Sequence, residues 1–585
     1  MTLPGDRTDA VPAVDDGDLL HSGAVLEVTA YGAAADAVAA HVPALVADGV
    51  ASAVGRGDAT LWGPDAEPEA SIRLGWVSLA ESSRPLLPRI ERLRAELAAE
   101  GVDRVVLCGM GGSSLAPEVI TGTAGVPLVV LDGTDPGQVS AAVSHDLART
   151  VVVVSSKSGG TLETDSQRRA FEAAFTAAGL DPATRIVVVT DPGSPLEKAS
   201  REAGYRAVFT ADPTVGGRFS ALTAFGLVPS GLAGVDVADL LDDAAMVADL
   251  LTDDDSGNPA LVLGAALAGT DPLRDKIVIA DEGSGIVGFG DWAEQLIAES
   301  TGKQGTGLLP VVTEGPGAPE VTGGADDVLL VRLVPTADQP AGPSEDDTAP
   351  HEPAVTGHGA AAVTVAGPLG AQMLLWEYAV CVAGRLLGIN PFDQPDVESA
   401  KNAARGMLDA RPEASAAAFT DGPVEVRGTP GLLDGVQDLP GAVDALLGQL
   451  GPRGYLAVMA YLDREADAGL ASVRAPLAAR TGRPVTFGWG PRFLHSTGQY
   501  HKGGPAQGVY LQVTADAVQD LPIPDRPFGF GQLIAAQAAG DAQVLADHGR
   551  PVLRLHLTDR GAGLRRLAEV LGRPVPPAPS GGESA

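Results

Sequence analysis

Short runs of β-branched and other apolar residues alternate with longer amphipathic stretches between about positions 70 and 420. The runs that we interpret as strands are RVVLCGM (104–110), PLVVLDG (127–133), TVVVVSS (150–156), RIVVVTD (185–191), KIVIADE (276–282), DVLLVRL (327–333) and AAVTVAG (361–367). Continuous apolar strands separated by helices are typical of parallel sheets with helices on both faces. The pattern therefore predicts an α/β protein with two tandem doubly wound parallel-sheet domains.

The segments outside this pattern have a different character. Residues 24–30 are strand-like and precede an Ala/Val-rich helical stretch, and residues 335–359 are rich in Pro, Gly and acids, which predicts a mobile surface loop. In the last part of the chain, 454–481 predicts a helix, and 485–489 and 508–516 predict strands. We expect an N-terminal extension (1–70), a first α/β domain (71–235), a second α/β domain (236–420) and a C-terminal α/β block (421–585).

Composition narrows the class of protein and its partners. Of the 585 residues, 45% are hydrophobic and 20% are charged, as in a globular protein. The net charge of −35 repels phosphate backbones and anionic headgroups, so we expect neither nucleic acid nor membrane as a partner. With only two cysteines, Cys108 and Cys381, and an acidic first segment unlike a signal peptide, we expect a cytoplasmic protein.

Two loops that follow predicted strands carry candidate anion-binding groups. Gly111, Gly112 and Ser113 come directly after the first strand, and the hydroxyl- and glycine-rich run SKSGGTLET (156–164) comes after the third. Ligands of open α/β sheets bind at the carboxyl ends of strands, where free backbone N–H groups and a helix N-terminus favour anions. Both loops could also be ordinary tight turns or helix caps. The donors suffice for a phosphate without a metal ion, and we expect no cofactor.

Four motifs, found in one order, resemble the phosphoglucose isomerase family, whose domains are of the sugar isomerase (SIS) type. They are SKSGGTLET (156–164), VGGRFSALT (215–223), EQLIAESTGK (294–303) and NPFDQPDVESAK (390–401). The order also resembles the isomerase portion that is found fused to, or encoded beside, transaldolase. The motifs lie between about positions 100 and 405, so the resemblance implies two SIS domains and says nothing of the C-terminal block.

The resemblance implies an aldose–ketose isomerase that interconverts glucose 6-phosphate and fructose 6-phosphate through an enediol(ate). Glu299 would move the proton between C1 and C2, Arg218 would stabilise the oxyanion, and Lys401 would assist ring opening. A carboxylate base beside a fixed cation suits this chemistry. The residues implied to line the sugar-phosphate pocket are Gly112, Ser113, Ser156, Lys157, Ser158, Thr161, Glu163, Gln295 and Gln394. The alternatives are a surface ion pair for Arg218, a solvated helix face for Glu299 and a helix-terminal charge for Lys401.

One departure from the family concerns the histidine that opens the sugar ring. The region where it is expected reads PLGAQML (368–374) and contains no histidine. The C-terminal run GPRFLHSTGQYHKGG (490–504) offers His495 and His501 as replacements. A metal site formed by the two histidines, a purely structural loop, and ring opening by Lys401 and water are the alternatives.

The sequence leaves two other functions open. An isomerase of broader specificity would also accept mannose 6-phosphate, and a SIS-domain sensor would bind a sugar phosphate without chemistry. A sensor needs the phosphate loop but neither Glu299 nor Arg218. We expect a small sugar phosphate as the partner, and a homodimer is possible.

Overall fold

The computed structural model describes residues 26–336, 361–396, 403, 405–408 and 416–572. Its strands are β1 (Glu27–Gly32), β2 (Arg104–Gly109), β3 (Val129–Leu131), β4 (Thr150–Ser155), β5 (Ile186–Thr190), β6 (Ala207–Thr210), β7 (Lys276–Asp281), β8 (Leu309–Val312), β9 (Val328–Leu333), β10 (Ala361–Ala366), β11 (Phe419–Asp421), β12 (Val424–Gly428), β13 (Tyr455–Tyr461), β14 (Val485–Trp489), β15 (Gly508–Ala515) and β16 (Val552–Leu557).

The α-helices fill the connections between these strands. They are α1 (Ala33–Ala47), α2 (Val50–Gly55), α3 (Glu67–Ala70), α4 (Leu79–Ser82), α5 (Leu87–Ala99), α6 (Leu115–Thr123), α7 (Pro136–Ser144), α8 (Leu162–Ala177), α9 (Pro195–Glu202), α10 (Ala224–Ala233), α11 (Val237–Thr252), α12 (Pro259–Ala268), α13 (Phe289–Thr301), α14 (Pro319–Gly323), α15 (Leu369–Leu387), α16 (Leu439–Leu447), α17 (Arg474–Thr481), α18 (Gly498–Gly503), α19 (Phe530–Asp547) and α20 (Arg560–Leu571). In the described part of the chain, no helix is both long and apolar enough to cross a membrane.

The strands form three sheets. The first has the order β3-β2-β4-β5-β6 and is entirely parallel. The second has the order β1-β10-β9-β7-β8, in which only β1 is antiparallel to its neighbour. The third has the order β11-β12-β16-β15-β13-β14, in which β16, β15, β13 and β14 are parallel and each of the two edge pairings, β12 with β16 and β11 with β12, is antiparallel. The predicted α/β class, with two parallel-sheet units and a C-terminal α/β part, is confirmed.

The strand order of the first sheet locates a crevice. The chain leaves β2 for β3 on one side and then returns to β4 on the other side of β2. Ligands bind where the strand order reverses in this way, at the carboxyl ends of the two diverging strands. Here those ends are Gly109 and Ser155, directly before the two candidate anion-binding loops.

Three local predictions have different outcomes. The helix predicted over 454–481 is wrong in its first part, because Tyr455–Tyr461 is the strand β13. Helical structure in this range is confined to the 3₁₀ helix Ala468–Val473 and the α-helix Arg474–Thr481. All seven residues of β13 are buried, and a short run that is apolar on both faces has no periodicity to separate strand from helix. The N-terminal strand joins the second sheet, beside β10. The 335–359 segment lies almost wholly outside the described residues, and the domain boundaries remain predictions.

Candidate active site

Two glycine-containing turns lie against each other at the crevice. One is the 3₁₀ turn Gly111–Ser113 after β2, and the other is Gly217–Phe219, which carries Arg218. A Cβ atom at Gly112 would lie 1.9 Å from the carbonyl oxygen of Gly217, so only glycine permits this backbone approach. The absence of a side chain at Gly112 therefore allows the turn that carries Arg218 to pack against the end of β2.

Arg218 is buried and fully hydrogen-bonded. Its Nε donates to Ser300 Oγ (2.8 Å), Nη1 faces Gln394 Oε1 (2.6 Å) and Glu299 Oε2 (3.5 Å), and Nη2 donates to the carbonyls of Pro391 (2.6 Å) and Asp393 (3.1 Å). These contacts use all five N–H groups of a guanidinium. Burial lowers the pKa of Arg218, but an arginine keeps its charge even so. The result is a fixed cation with the carboxylate of Glu299 at its side.

The carboxylate and its neighbour come from one face of α13. Gln295 and Glu299 are four residues apart, which places them one above the other on a helix. Gln295 Nε2 lies 3.3 Å from Glu299 Oε2, while Gln295 Oε1 is buried and has no hydrogen-bond partner among the described residues. The free Oε1 can accept a hydrogen bond from a ligand hydroxyl.

Lys303 belongs to this cluster, although sequence reasoning gave it no role. Its side chain is fully buried, and Nζ donates to the carbonyls of Asn390 (2.7 Å) and Asp393 (2.6 Å) and to Asp393 Oδ1 (2.7 Å). Burial, followed by the nearby charge of Arg218, lowers the pKa of Lys303 to about 8. Lys303 and Ser300 lie in the same sequence motif as Glu299 (294–303), and that motif is the sequence feature that could have pointed to them.

The 156–164 loop closes on itself at the N-terminus of α8. The hydroxyls of Ser156 and Thr161 lie 3.0 Å apart, and the backbone N–H of Gly159 donates to Ser156 Oγ (3.2 Å). Ser158 Oγ accepts from the N–H of Gly160 (3.2 Å). Hydroxyls and amides thus converge at a helix start, where the helix dipole favours an anion.

Lys157, from the same loop, is already paired. Its Nζ lies 2.7 Å from Asp191 Oδ2 and 3.4 Å from the carbonyl oxygen of Pro213, two residues before the Arg218 motif. Its charge is therefore partly neutralised by Asp191. Lys157 joins the loop to the segment that leads to Arg218.

The two candidate histidines have different surroundings. His495 Nε2 lies 3.3 Å from Glu163 Oε1, which also accepts from Gln537 Nε2 (2.7 Å). A Cβ at Gly111 would lie 2.8 Å from Gln295 Nε2 and 2.9 Å from the carbonyl oxygen of His495. His495 is thereby connected to the Gln295–Glu299 pair through Gly111.

His501 lies in an aromatic core instead. Its ring packs against those of Tyr455, Phe493 and Tyr510, and neither ring nitrogen has a hydrogen-bond partner among the described residues. Burial lowers the pKa of His501 well below its usual value, so this imidazole is neutral. The different surroundings of the two rings also give no support to a metal site shared by His495 and His501.

The structure therefore joins most of the predicted site residues in one chain of contacts. The chain runs through Glu163, His495, the 111–113 turn, Gln295, Glu299, Arg218 and Gln394. The 156–164 loop follows the neighbouring strand β4 at the same sheet edge. Lys401 lies outside the described residues. Gln537, which holds Glu163, comes from the C-terminal part and has no sequence signal.

Known proteins are similar to this chain over part of its length. No family model matches the chain. A glucose-6-phosphate isomerase of Synechococcus elongatus is 30% identical over 352 residues, which cover 52% of this chain and 66% of that protein. A glucose-6-phosphate isomerase of Synechococcus sp. (strain JA-3-3Ab) is 29% identical over 397 residues, covering 59% and 73%. The chain thus spans about two thirds of the length of these relatives.

A solved structure is similar as well. A hypothetical protein from Thermus thermophilus superposes with a TM-score of 0.52 at 25% sequence identity. The match covers 65% of this chain and 100% of that one.

Proposed function

This chain belongs to the phosphoglucose isomerase family of SIS-domain proteins, and on that basis we propose that it interconverts glucose 6-phosphate and fructose 6-phosphate. The observation that carries the proposal is the buried pair of Arg218 and Glu299, 3.5 Å apart at the crevice of the first sheet. A non-catalytic sugar-phosphate sensor would have no need for a carboxylate base beside a fixed cation.

The pair supports proton transfer next to a carbonyl group. Glu299 takes the proton from C2 of the open-chain aldose and returns it to C1, with the reverse order for the ketose. The oxygen that becomes negative meanwhile is stabilised by Arg218, whose charge is fixed before the reaction and needs no reorganisation. Gln295, which contacts Glu299, has a free Oε1 for a sugar hydroxyl.

The full hydrogen bonding of Arg218 sets a condition on substrate binding. Because all five N–H groups have acceptors, a substrate oxygen can reach the guanidinium only if one acceptor leaves. The carbonyls of Pro391 and Asp393 belong to the backbone, Ser300 is fully buried on α13, and Glu299 is the proposed base. The remaining acceptor is the side-chain amide of Gln394, which can rotate away. We propose that Gln394 turns toward the sugar when substrate binds.

The phosphate group would bind at the 156–164 loop. The hydroxyls of Ser156, Ser158 and Thr161, together with the loop amides, are donors of the kind that phosphate oxygens accept. Ring opening would fall to His495 and to Lys401, and this assignment rests on the resemblance and on the contact of His495 with Glu163.

One coupled assay tests the function. Purified full-length protein is supplied with fructose 6-phosphate, and formation of glucose 6-phosphate is followed in the presence and absence of EDTA. Turnover that EDTA leaves unchanged is the expected result. Binding of fructose 6-phosphate without turnover would point to the sensor, and equal turnover of mannose 6-phosphate would point to the broader isomerase. As further proposals, the protein acts in glycolysis and gluconeogenesis, in the cytoplasm, as a homodimer.

A further inference from the structure

A second cavity lies at the C-terminal unit, where Met407 and Leu408 of the preceding segment also line it. It has a volume of about 550 Å³ and separates the helix α19 from one face of the third sheet. Tyr461 ends β13 and Ala515 ends β15, and both line the cavity, which therefore lies at the carboxyl ends of parallel strands. Ligands of α/β units bind at this position, and the volume is within the usual range for a small-molecule site. None of its lining residues belongs to the candidate active site.

The sheet face under the cavity is polar, whereas the opposite face is an apolar core. Along β12 and β16, residues such as Val424, Val426 and Leu555 are fully buried in that core. The alternate residues form two rows across β12, β16 and β15. The first row is Arg427, Arg554 and Gln512, and the second is Glu425, His556 and Thr514. Polar side chains in register under a helix are unusual in a packed interface and indicate a site.

The first row brings two like charges together. Arg427 and Arg554 are directly opposite each other in the antiparallel pair, an arrangement that destabilises a sheet. Glu425 Oε2 accepts from Arg427 at 2.6 Å. Arg554 donates through Nε to Gln512 Oε1 (3.1 Å), and no carboxylate of the described residues lies within ion-pair distance of it. Burial and the charge of Arg427 lower the pKa of Arg554.

The rest of the lining suits an organic ligand. On α19, Ala535, Ala538 and Ala539 face the cavity, and their small side chains account for the space beneath the helix. Tyr461 and Phe528 add aromatic surface. A partly buried, uncompensated cation next to an apolar space fits a molecule with a charged end and an apolar body.

We propose that this cavity binds a small organic oxyanion, a phosphate ester or a carboxylate with an apolar ring or chain. Its charged group lies against Arg554 and Arg427, and its apolar body packs under α19 against Tyr461 and Phe528. Two arginine forks bind phosphate and carboxylate in the same way, so the two classes share this chemistry. The proposal does not depend on the isomerase activity.

Titration calorimetry on the full-length protein tests whether the cavity binds such an anion, with phenyl phosphate and benzoate as the probes. Fructose 6-phosphate is present at saturation, so that a phosphate site at the 156–164 loop is already occupied. We expect one probe to bind once per chain, and its identity separates phosphate from carboxylate ligands. The variant Arg554→Gln should lose about tenfold or more in affinity, because a charge-assisted hydrogen bond is worth roughly 1.5–3 kcal/mol.

Two further variants keep the test decisive. Ala539→Leu fills the cavity without a change in charge and should also abolish binding. Arg565→Gln removes the charge of an exposed arginine on α20, away from the cavity, and should bind the probe like the parent. Thermal melting checks that each variant is folded. The proposal is overturned if neither probe binds the parent at millimolar concentration, or if Arg554→Gln binds as tightly as Arg565→Gln.

Discussion

Arg218 and Lys303 donate hydrogen bonds to the same carbonyl oxygen, that of Asp393, at 3.1 and 2.6 Å. Two buried cations thus hold one turn, which also supplies Gln394 to Arg218. Lys303 also donates to two oxygens of that turn that Arg218 does not contact, the carbonyl of Asn390 and the carboxylate of Asp393. We therefore expect the position of Gln394 to depend on the charge of Lys303, which holds the same turn.

The first prediction concerns the alkaline side of the pH–rate profile. The pKa of Lys303 is lowered to about 8, so above that pH the ammonium loses a proton and one hydrogen-bond donor. We expect isomerase kcat/KM to fall above about pH 8, because the turn that carries Gln394 is then less firmly held. Lys303→Arg should keep its charge and shift this fall to higher pH. Rates measured from pH 6 to 10 check it.

The control is Lys198→Arg, at a lysine whose side chain is 79% exposed, which should leave the profile unchanged. The effect of Lys303 on stability runs in the opposite direction to its effect on kcat/KM as the pH rises. With a folded pKa near 8 and a usual value of 10.5, the unfolded chain holds more protons in this window, so the lysine's contribution to the free energy of unfolding rises from pH 8 to 10.5. If kcat/KM falls above pH 8 in the same way in Lys303→Arg and in the parent, deprotonation of Lys303 does not cause the fall.

The second prediction tests the proposed base. Glu299→Gln keeps the shape of the side chain and loses its basicity, so sugar-phosphate binding should persist while kcat falls by about 10²–10⁴-fold. Binding is measured by calorimetry and turnover by the coupled assay. Glu91→Gln, at an exposed position of α5, is the matched control. A Glu299→Gln protein that retained most of its activity would remove Glu299 from the mechanism.

The third prediction concerns the 156–164 loop. Ser158→Ala combined with Thr161→Ala removes two hydroxyls that we assign to the phosphate group. Because a hydrogen bond to a charged group is worth roughly 1.5–3 kcal/mol, KM for fructose 6-phosphate should rise more than tenfold. Ser71→Ala with Thr60→Ala, outside the site, serves as the matched pair. An unchanged KM would place the phosphate at another loop.

Some strands of the fold could be predicted from the sequence and others could not. β2, β4 and β5 are buried along almost their whole length, so their apolar runs give a clear signal. β13 has the same burial, yet its apolar run continues into helix-forming residues, so the sequence pattern predicts a helix where the structure has a strand. The antiparallel strand β1 pairs with β10, more than 300 residues away, and no local pattern contains that information.

In the candidate site, too, the sequence identifies some residues but not the contacts that they make. The motifs identified Arg218 and Glu299 as candidates, but not that Arg218 has all its donors occupied or that Lys303 shares its acceptor. Those facts depend on where the 390–394 turn packs. The two histidines of the C-terminal run were equivalent in sequence, and only packing separates His495, beside Glu163, from His501, among aromatic rings.

A fourth prediction follows from Glu294, which accepts a hydrogen bond from Ser496 (2.9 Å) near the site. Burial, with the charge of Asp291 second, raises the pKa of Glu294 from 4.5 to about 8. The folded state thus holds a proton that the unfolded state releases, and the stability from this group is lost as pH rises from 4.5 to 8. Glu294→Gln should melt several degrees higher than the parent at pH 9, and nearly like it at pH 5. A difference that is constant with pH would contradict this.

The last prediction separates the two histidines by the step that each variant impairs. If His495 opens the sugar ring, His495→Ala should slow turnover of cyclic fructose 6-phosphate by about 10²–10⁴-fold, the usual contribution of a general acid or base. The proton transfer between C1 and C2 depends on Glu299 and Arg218, and it should continue. Hydrogen exchange from an open-chain analogue that cannot cyclise isolates that step, since such a molecule needs no ring opening.

His501 provides the matched control within the same run of sequence. Its ring packs against Tyr455, Phe493 and Tyr510, so His501→Phe preserves an aromatic ring there and should turn over cyclic substrate like the parent. Exchange from the open-chain analogue should be normal in His495→Ala and in His501→Phe, and lost in Glu299→Gln. If His501→Phe were the slow variant on cyclic substrate, the neutral buried imidazole would be the ring-opening group. If both variants kept the parent rate, the ring would open by Lys401 and water, and the 490–504 run would serve only to position Glu163.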